Sequence, residues 1–397
     1  MVRTGTSRNA AVIPVGFEPA AYSCVRSLSR RGVDTIVASE YDDTLAAASR
    51  FCDEFVSIPS PYEDLIAYRD ALVGLAARDD VETIYPLRAQ DAYVFTRYAD
   101  AFAPYVSLVT PSADLLGTVF DRVELVAAAE EAGVPAPETR LLTDVDEWDR
   151  DLIIKSRYNL LTDEYCPEFS PRDVATAKSV THVAPGEDVD VEAFESEMHH
   201  MPIVQEYVPS SDEYLFGALY DDGEPVTTFQ HRQVRGDSYT GGGGVYREAT
   251  RDPELERVGR TLLDHLEFDG LACIEYMKHA ETGEYVLTEI NPRLWQSLPS
   301  AVQAGADFPA SYWEVATGAP VRSDFQYEVG VGTHLLYGEL GHLISIVRDE
   351  SPFVDPPSLP RTAWEIAASC VKNPYFDVLR ADDPKPFVQG LVHVLKT

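Results

Sequence analysis

Three side chains with oxygen donors are brought together by a predicted β-hairpin in the second half of the chain. Glu275 lies on the first strand, and Glu289 and Asn291 lie on the second, beyond a turn at Glu281–Gly283. Residues two apart in a strand project on the same face, so Glu289 and Asn291 can share one site. Magnesium carried by ATP takes one or two carboxylates together with phosphate oxygens and water. The geometry therefore permits one site for a hard cation such as magnesium, and the alternative is a surface hairpin with charged edges.

A lysine at the end of a short apolar strand is the second candidate. Lys155 closes the segment Asp151–Lys155, and only six of the 32 basic residues in the chain are lysines. A buried ammonium group requires an anion beside it. The alternative is a lysine whose charged end reaches water from the end of the strand.

A run of glycines follows a pair of arginines. Thr240 precedes Gly241–Gly244, and four successive glycines offer backbone N–H groups for a carboxylate or an acyl phosphate. Arg232 or Arg235, shortly before the run, could steady the negative charge of phosphoryl transfer, and Arg232 is preferred. The alternative is a flexible surface loop.

The first part of the chain is predicted to supply a parallel sheet. Strands alternate with helices there, which is typical of such sheets. The predicted elements are Ala11–Val15, Pro19–Arg31, Asp34–Ala38, Phe55–Ile58, Glu63–Ala77 and Glu82–Pro86. Neither a dinucleotide-binding glycine motif nor a P-loop is present, so ATP is not expected to bind within this unit.

From residue 110 the pattern changes to α+β. Asp121 can cap a helix, and a strand is expected near Ala175–Val183. Further pieces predict an antiparallel sheet: Pro202–Val208, Tyr214–Tyr220, Pro225–Val234, with a hairpin turn at Asp221–Gly223. After a helix at Asp252–Leu266 comes the hairpin that carries Glu275. Beyond residue 321 a strand at Val329–Leu336 and a helix at Glu339–Arg348 are expected.

Charge and cysteine usage narrow the class of protein. The 397 residues carry a net charge of −34, which makes nucleic acid a poor partner. Such an acidic surface resembles that of halophile proteins, and the alternative is ordinary solubility through self-repulsion. The five cysteines have no C-x-x-C spacing, and no apolar run approaches the length of a membrane span. A soluble cytoplasmic protein is expected.

The hairpin motif resembles the ATP-grasp superfamily, whose closing motif is an acidic residue on one strand followed by Glu-x-Asn-x-Arg on the next. The matching residues are Ile274-Glu275-Tyr276 and Glu289-Ile290-Asn291-Pro292-Arg293. The resemblance covers about Pro111–Ala319. It implies that Glu275, Glu289 and Asn291 hold magnesium, and that Arg293 faces the transferred phosphate or the substrate carboxylate.

The same resemblance assigns the nucleotide contacts. It implies that Lys155 and Arg122 reach the phosphates and that the ribose hydroxyls bind Glu213. The adenine edge would meet backbone around Glu206, Tyr207 and Val208. One departure is that Ser156–Ser170 contains no glycine, whereas many members fold a glycine-rich loop over the phosphates there. Lys178 or a reshaped loop would have to cover them.

The resemblance also implies an architecture and a function. The expected fold is α/β plus α+β. The expected units are an N-terminal parallel domain (residues 1–109), an ATP-grasp domain (110–320, with lobes of about 110–203 and 204–320) and a C-terminal extension (321–397). The expected activity is ATP-dependent joining of a small-molecule carboxylate to an amine through an acyl phosphate, with ATP and two Mg²⁺ ions, Mn²⁺ being an alternative. A kinase, an acyl-CoA-type ligase and a non-catalytic nucleotide-binding protein remain alternatives, and a homodimer is left open.

Overall fold

The structure is a computed structural model that describes residues 8–177, 179–320, 326–350 and 354–396. A four-stranded parallel sheet opens the chain. Its elements are β1 (Ala10–Pro14), α1 (Pro19–Arg30), β2 (Asp34–Ser39), β3 (Glu54–Ser57), α2 (Leu65–Ala76), β4 (Val81–Ile84), α3 (Ala89–Arg97) and α4 (Ala99–Phe102). The strand order is β3-β2-β1-β4. The parallel sheet predicted from strand–helix alternation is confirmed, because every pairing in it is parallel.

A small antiparallel sheet follows. Its elements are α5 (Ala113–Phe120), α6 (Arg122–Glu131), β5 (Thr139–Leu141), β6 (Leu152–Lys155), β7 (Val180–Val183), α7 (Val191–Met198) and β8 (Ile203–Glu206), with strand order β5-β8-β6-β7. The Asp121 carboxylate accepts the Val123 N–H and caps α6, as predicted. β7 is shorter than expected, since Ala175 forms only an isolated bridge with Leu161.

A seven-stranded sheet forms the centre of the molecule. Its region contains β9 (Ser210–Asp221), β10 (Glu224–Ser238), β11 (Gly241–Thr250), α8 (Pro253–His265), β12 (Gly270–His279), β13 (Tyr285–Asn291), α9 (Leu298–Ala304), α10 (Phe308–Thr317) and β14 (Gly332–His334). The last elements are α11 (Leu336–Arg348), α12 (Leu359–Lys372), β15 (Tyr375–Phe376) and α13 (Lys385–Lys396). The strand order is β13-β12-β9-β10-β11-β14-β15.

The β9–β10 turn shows why the sequence folds locally as predicted. Asp222 and Gly223 have φ angles of 52° and 76°. A two-residue turn with both φ angles positive matches the right-handed twist of the strands that it joins, and glycine adopts that conformation without a Cβ clash. The predicted hairpin is therefore confirmed.

The middle strands of the large sheet are buried on both faces. Phe216, Ile274 and Tyr276 belong to a core with α6 and α8 on one face. Leu215 and Cys273, on the other face, belong to a core with α1, α9 and α10. Side chains therefore alternate strictly between two interiors, so strand register decides which residues can meet.

The C-terminal strands are part of the large sheet. β14 and β15 extend the edge of the large sheet, and β14 pairs with β11 through Tyr246 and His334. Among the described residues, no helix combines the length and the apolar character that crossing a lipid bilayer requires.

Candidate active site

A cavity of about 580 Å³ lies where the three sheets meet. The start of α3, which follows the last strand of the parallel sheet, supplies Arg88 and Gln90, and the small sheet supplies Ile153 and Lys155. The other predicted site residues that line it are Arg122, Glu275, Glu289, Asn291 and Arg293. Six residues chosen from the sequence therefore converge on one space.

The acidic pair is positioned by strand register. Glu275 on β12 lies directly opposite Glu289 on β13, and Cys273 lies opposite Asn291. The three oxygen-bearing side chains therefore share one face of the sheet, as the two-residue spacing predicts. The Asn291 side-chain amide donates to Glu289 Oε1 at 2.7 Å. Arg122 Nη2 donates to Glu289 Oε2 at 3.0 Å.

The two carboxylates differ in their electrostatic surroundings. Burial, and then the charge of Glu289, raises the pKa of Glu275. Burial also acts to raise the pKa of Glu289, but Arg122, the Asn291 hydrogen bond and Lys155 outweigh it, so this pKa is lowered. Among the described residues, none hydrogen-bonds to the Glu275 carboxylate or forms a salt bridge with it. The negative charge of Glu289 is therefore balanced by Arg122. The Glu275 carboxylate has no such partner among the described residues, so it is available to bind a cation.

Lys155 faces the same cavity from the small sheet. It ends β6, opposite Ile203 of β8 and Val180 of β7. Burial, followed by the nearby charge of Arg122, lowers the pKa of Lys155 to about 7. Within the described part of the chain its ammonium group has no acceptor at hydrogen-bond distance. An anion entering the cavity would therefore meet an amino group with no other partner, and the charge of the anion would raise the Lys155 pKa and favour the ammonium form.

Arg122 and Arg293 each donate a hydrogen bond to a backbone carbonyl. Arg122 Nη1 donates to the carbonyl of Ser156 at 3.0 Å. Arg293 lies two residues after the end of β13. Its Nη2 donates to Asn291 Oδ1 at 3.3 Å, and its Nη1 donates to the Leu294 carbonyl at 3.0 Å. These contacts orient both guanidinium groups beside the acidic pair.

The donor set fits magnesium carried by a nucleotide. The described residues contain no group of three or more His, Cys, Asp or Glu side chains placed to hold a metal ion. Two carboxylates and the Asn291 amide are what Mg²⁺ uses when phosphate and water supply the remaining oxygens. The partnerless Glu275 carboxylate is the observation that favours such an ion.

In the segment predicted to contact adenine, only some of the backbone groups are free to form hydrogen bonds with a ligand. The N–H of Glu206 donates to the Glu138 carbonyl at 3.1 Å, and that of Tyr207 donates to the Asp151 carbonyl at 3.2 Å. The Glu206 carboxylate accepts the Glu138 N–H at 3.0 Å. Two of the three predicted N–H groups are thus used within the protein, which leaves Val208 and the carbonyl oxygens.

Glu213 lies on the cavity face of the large sheet, since it pairs with Met277 and shares a face with Glu275. Its carboxylate accepts a hydrogen bond from Gln233 Nε2 at 2.6 Å, and burial raises its pKa. The predicted ribose contact remains a prediction.

Arg232 does not join the acidic cluster. Arg232 lies opposite Tyr214, which in turn lies opposite Tyr276, so these three side chains share one face of the sheet. Glu275 is the neighbour of Tyr276 in β12 and therefore points to the other face. Its guanidinium lies 3.5 Å from Asp212 and 3.9 Å from Glu248. Because alternate strand residues face opposite ways, Arg232 points away from the cavity, and we assign it no catalytic role.

The glycine run forms a strand instead of a loop. Gly241–Gly244 begin β11 and pair with the end of β10. Gly242 has a φ angle of 95°, and a Cβ there would collide with the Asp237 carboxylate. A Cβ on Gly243 would lie 3.2 Å from Oε1 of Gln296, which lines the cavity. The glycines therefore place a narrow hairpin beside the cavity wall.

Sequence reasoning missed several wall residues. Ile153 and Met277 face the cavity because each is two positions from a predicted site residue, Lys155 and Glu275 respectively; this spacing was the available signal. Lys178 lies outside the described residues. Its neighbours Thr176, Ala177 and Ser179 line the cavity, so this segment borders the space where phosphates are expected.

Comparison with known proteins shows likeness at the level of structure. No family model matches the chain, and no curated protein does. An N5-carboxyaminoimidazole ribonucleotide synthetase solved with ADP is 17% identical with a TM-score of 0.59, over 84% of this chain and 82% of that one.

Two further structures extend the likeness. The biotin carboxylase domain of Hydrogenobacter thermophilus 2-oxoglutarate carboxylase, a dimer with MgADP and bicarbonate, is 14% identical with a TM-score of 0.61, over 81% and 73% of the two chains. An L-amino acid ligase from Bacillus licheniformis is 14% identical with a TM-score of 0.58, over 83% and 80%. These likenesses show a shared fold.

Proposed function

Since the chain has the ATP-grasp fold, we propose that it is an ATP-dependent ligase that joins a small-molecule carboxylate to an amine. The observation that carries the proposal is that the Lys155 ammonium and the Glu275 carboxylate face one cavity without partners among the described residues. A bound nucleotide with its metal would supply the missing charge to both. The three similar structures support the choice, because two hold ADP and all three belong to synthetases, carboxylases or ligases.

The walls of the cavity suggest how the nucleotide lies. Ile153 and Met277 offer apolar contacts for the adenine ring. The Val208 backbone and Glu213, which are not among the residues that line the cavity, remain the proposed adenine and ribose contacts. The phosphates would then reach Lys155 and Arg122. Magnesium would bind Glu275, Glu289 and Asn291, and it would neutralise the charge that develops on the phosphates.

The proposed chemistry depends on positioning. A carboxylate oxygen attacks the γ-phosphorus, ADP leaves, and an acyl phosphate forms. The amine nitrogen then attacks the acyl carbon, phosphate leaves, and the nitrogen loses a proton to give the amide. Arg293, oriented by Asn291, would hold the negative charge of the carboxylate and of the acyl phosphate. The protein needs no nucleophile of its own for this sequence.

The direct test is magnesium-dependent ADP release by the purified chain, with pooled carboxylates and with hydroxylamine as the trap. We expect carboxylate-stimulated ADP together with a hydroxamate, because hydroxylamine captures an acyl phosphate. Glu289→Gln should lower both products by at least ~100-fold, since it removes a predicted metal ligand and the partner of Arg122. Glu284→Gln, an exposed carboxylate in the turn of the same hairpin, serves as the matched control and should retain activity.

Other outcomes would contradict the ligase proposal. ADP release without hydroxamate would indicate transfer to a hydroxyl, as in a kinase. Coenzyme A dependence of the same ADP release would indicate thioester formation. Folded protein that binds MgATP but releases no ADP with any pool would indicate a non-catalytic nucleotide-binding protein.

A further inference from the structure

A second cavity, of about 370 Å³, lies apart from the candidate active site. It is bounded by the C-terminal half of α1, by α9 and by the segment that follows β15. Ala20, near the start of α1, lines the catalytic cavity, whereas Arg30 at its end lines this one. The 12 residues of α1 span ~18 Å at the rise of an α-helix, so the two cavities share a helix but not a wall.

Four arginines face this cavity: Arg26, Arg30, Arg31 and Arg380. Arg26 lies 2.9 Å and Arg30 lies 3.4 Å from the same carboxylate oxygen of Asp382. Arg31 lies 2.9 Å from Asp307. Arg26 also lies 3.9 Å from Asp383, so three carboxylates serve these three arginines.

Arg380 is the fourth arginine and has no such partner. Its Nε is buried without an acceptor, and within the described part of the chain no carboxylate forms a salt bridge with its guanidinium. Asp377, which also lines the cavity, is already the salt-bridge partner of the fully buried Arg247. Burial, followed by the charge of Arg26, lowers the pKa of Arg380. A partly buried guanidinium is stable when an anion compensates it, and arginine presents a planar fork of donors that matches phosphate and carboxylate groups.

We propose that this cavity, which we call the arginine cavity, binds a small polyanion bearing phosphate or carboxylate groups. The anion would accept hydrogen bonds from Arg380 and would share Arg26 and Arg30 with Asp382. Because Arg380 belongs to the C-terminal segment and the other arginines lie on α1 or directly after it, a bound polyanion would fasten that segment to the first helix. The site is independent of the proposed ligase activity.

The test measures binding of pyrophosphate and of citrate by calorimetry, without magnesium and at constant ionic strength. Arg380→Gln should lower the affinity at least ~10-fold, since a hydrogen-bonded charge is lost. Arg30→Gln should weaken binding several-fold without endangering the fold, because 57% of the Arg30 side chain is exposed. Arg257→Gln, an exposed arginine on α8, removes the same charge elsewhere and should bind the probe like the wild type.

Two controls separate this site from the catalytic cavity and from a structural role. Lys155→Met should keep the affinity for the probe, whereas Arg380→Gln should keep the affinity for MgATP. In buffer without polyanion, Arg380→Gln should melt no lower than the wild type, because an uncompensated charge has been removed. Pyrophosphate should then raise the Tm of the wild type but not that of Arg380→Gln.

Several results would overturn the proposal. The arginine cavity is not a polyanion site if neither probe binds to the wild type, or if Arg380→Gln and Arg30→Gln bind as tightly as the wild type. Loss of all probe binding in Lys155→Met would place the bound anion in the catalytic cavity instead. A lower Tm of Arg380→Gln in polyanion-free buffer would assign Arg380 to folding.

Discussion

At the scale of single residues, the candidate active site holds charges that the folded protein does not neutralise. The Glu275 carboxylate faces Glu289 across two paired strands, and Lys155 has a pKa of about 7. Above neutral pH, Lys155 is therefore mostly uncharged and cannot balance Glu275. A site built for a metal and phosphates must be less stable when empty, because it keeps like charges together.

This arrangement predicts that Glu275→Gln stabilises the ligand-free protein while abolishing turnover. The raised pKa means that folded Glu275 keeps its proton to higher pH than unfolded Glu275. Stability therefore falls as pH rises from the ordinary carboxyl pKa through the raised one, and the loss is complete above it. In alkaline buffer the Tm of Glu275→Gln should exceed that of the wild type, but only slightly, because the Glu275 side chain is exposed to solvent in the cavity and water screens its charge.

The pH dependence of the Tm difference separates this charge effect from a pH-independent effect of the substitution on stability. In buffer below the ordinary carboxyl pKa, position 275 is uncharged in the folded and the unfolded states of both proteins, so their Tm values should coincide. Glu284→Gln, in the exposed turn of the same hairpin, should show no such divergence. A Glu275→Gln protein that melts below the wild type in alkaline buffer would show that the Glu275 charge is compensated.

Most of the polar site was predictable from residue type and spacing, but the direction of one side chain was not. Glu275, Glu289, Asn291 and Lys155 were recognisable because charged groups are rare in apolar strands. The sequence did not show that Arg232 points away from the cavity. Its segment mixes polar and apolar residues, so the pattern does not reveal which alternate residues of the strand face the cavity. Register with β9 decides that, and register depends on partners distant in the sequence.

At the scale of elements, a close contact between a strand and a tryptophan shapes one wall of the cavity. Gly217, in the buried middle of β9, lies beneath the Trp295 ring. A Cβ added at Gly217 would lie 2.5 Å from Trp295 Cη2. Trp295 also lines the cavity of the candidate active site, so its ring has little space to move except into the region where substrates are proposed to bind.

We therefore expect Gly217→Ala to destabilise the fold and to weaken ligand binding together. Overpacking of this kind costs about 1–3 kcal/mol. Urea unfolding and MgADP titration of the same variant would measure both effects. Gly74→Ala is the matched control, because Gly74 is an exposed position in α2 where an added Cβ meets nothing within 4 Å. That control should gain about 0.5–1 kcal/mol from helix propensity. If Gly217→Ala is as stable as the wild type, the Trp295 ring can move aside at little cost in free energy.

Helix ends and turns could be predicted from the sequence where neighbouring residues alone determine the backbone conformation. The helix boundary at Asp121 and the turn at Asp222–Gly223 depend on capping and on positive φ angles, which are local properties. The sequence predicts that Gly241–Gly244 offer backbone N–H groups to an anion or form a flexible loop, because four successive glycines carry no side chains. They form a strand since β10, already fixed by its pairing with β9, supplies the partner. Pairing of this kind is a tertiary effect that composition does not reveal.

At the scale of the whole molecule, the chain end holds the separate regions together. β14 and β15 complete the large sheet, and the residues after β15 reach back to the first domain. Asp382 pairs with Arg26, and the Asp383 carboxylate accepts a hydrogen bond from Ser49 at 2.6 Å. Arg247 and Asp377, both fully buried, form a salt bridge beneath these contacts. The stability of the molecule therefore depends on both buried and exposed charges, which respond differently to salt.

The net charge of −34 predicts that salt raises stability. Carboxylates spread over one compact surface repel each other, and the Debye length shrinks from about 30 Å at 0.01 M salt to about 3 Å at 1 M. We expect the Tm to rise continuously as potassium chloride increases from millimolar to molar concentration at neutral pH. The buried Arg247–Asp377 pair should be little affected, because desolvated charges are poorly screened.

The same measurement near pH 4.5, the isoelectric point of the sequence, is the internal control. Close to zero net charge there is little self-repulsion to screen, so the Tm should depend only weakly on salt. A rise of equal size at both pH values would assign the salt effect to reduced hydration of apolar surface instead. A Tm at neutral pH that is already maximal in millimolar salt would exclude the halophile-like interpretation, and the carboxylates would then serve solubility alone. A rise confined to neutral pH would show that screening is part of what stabilises this fold.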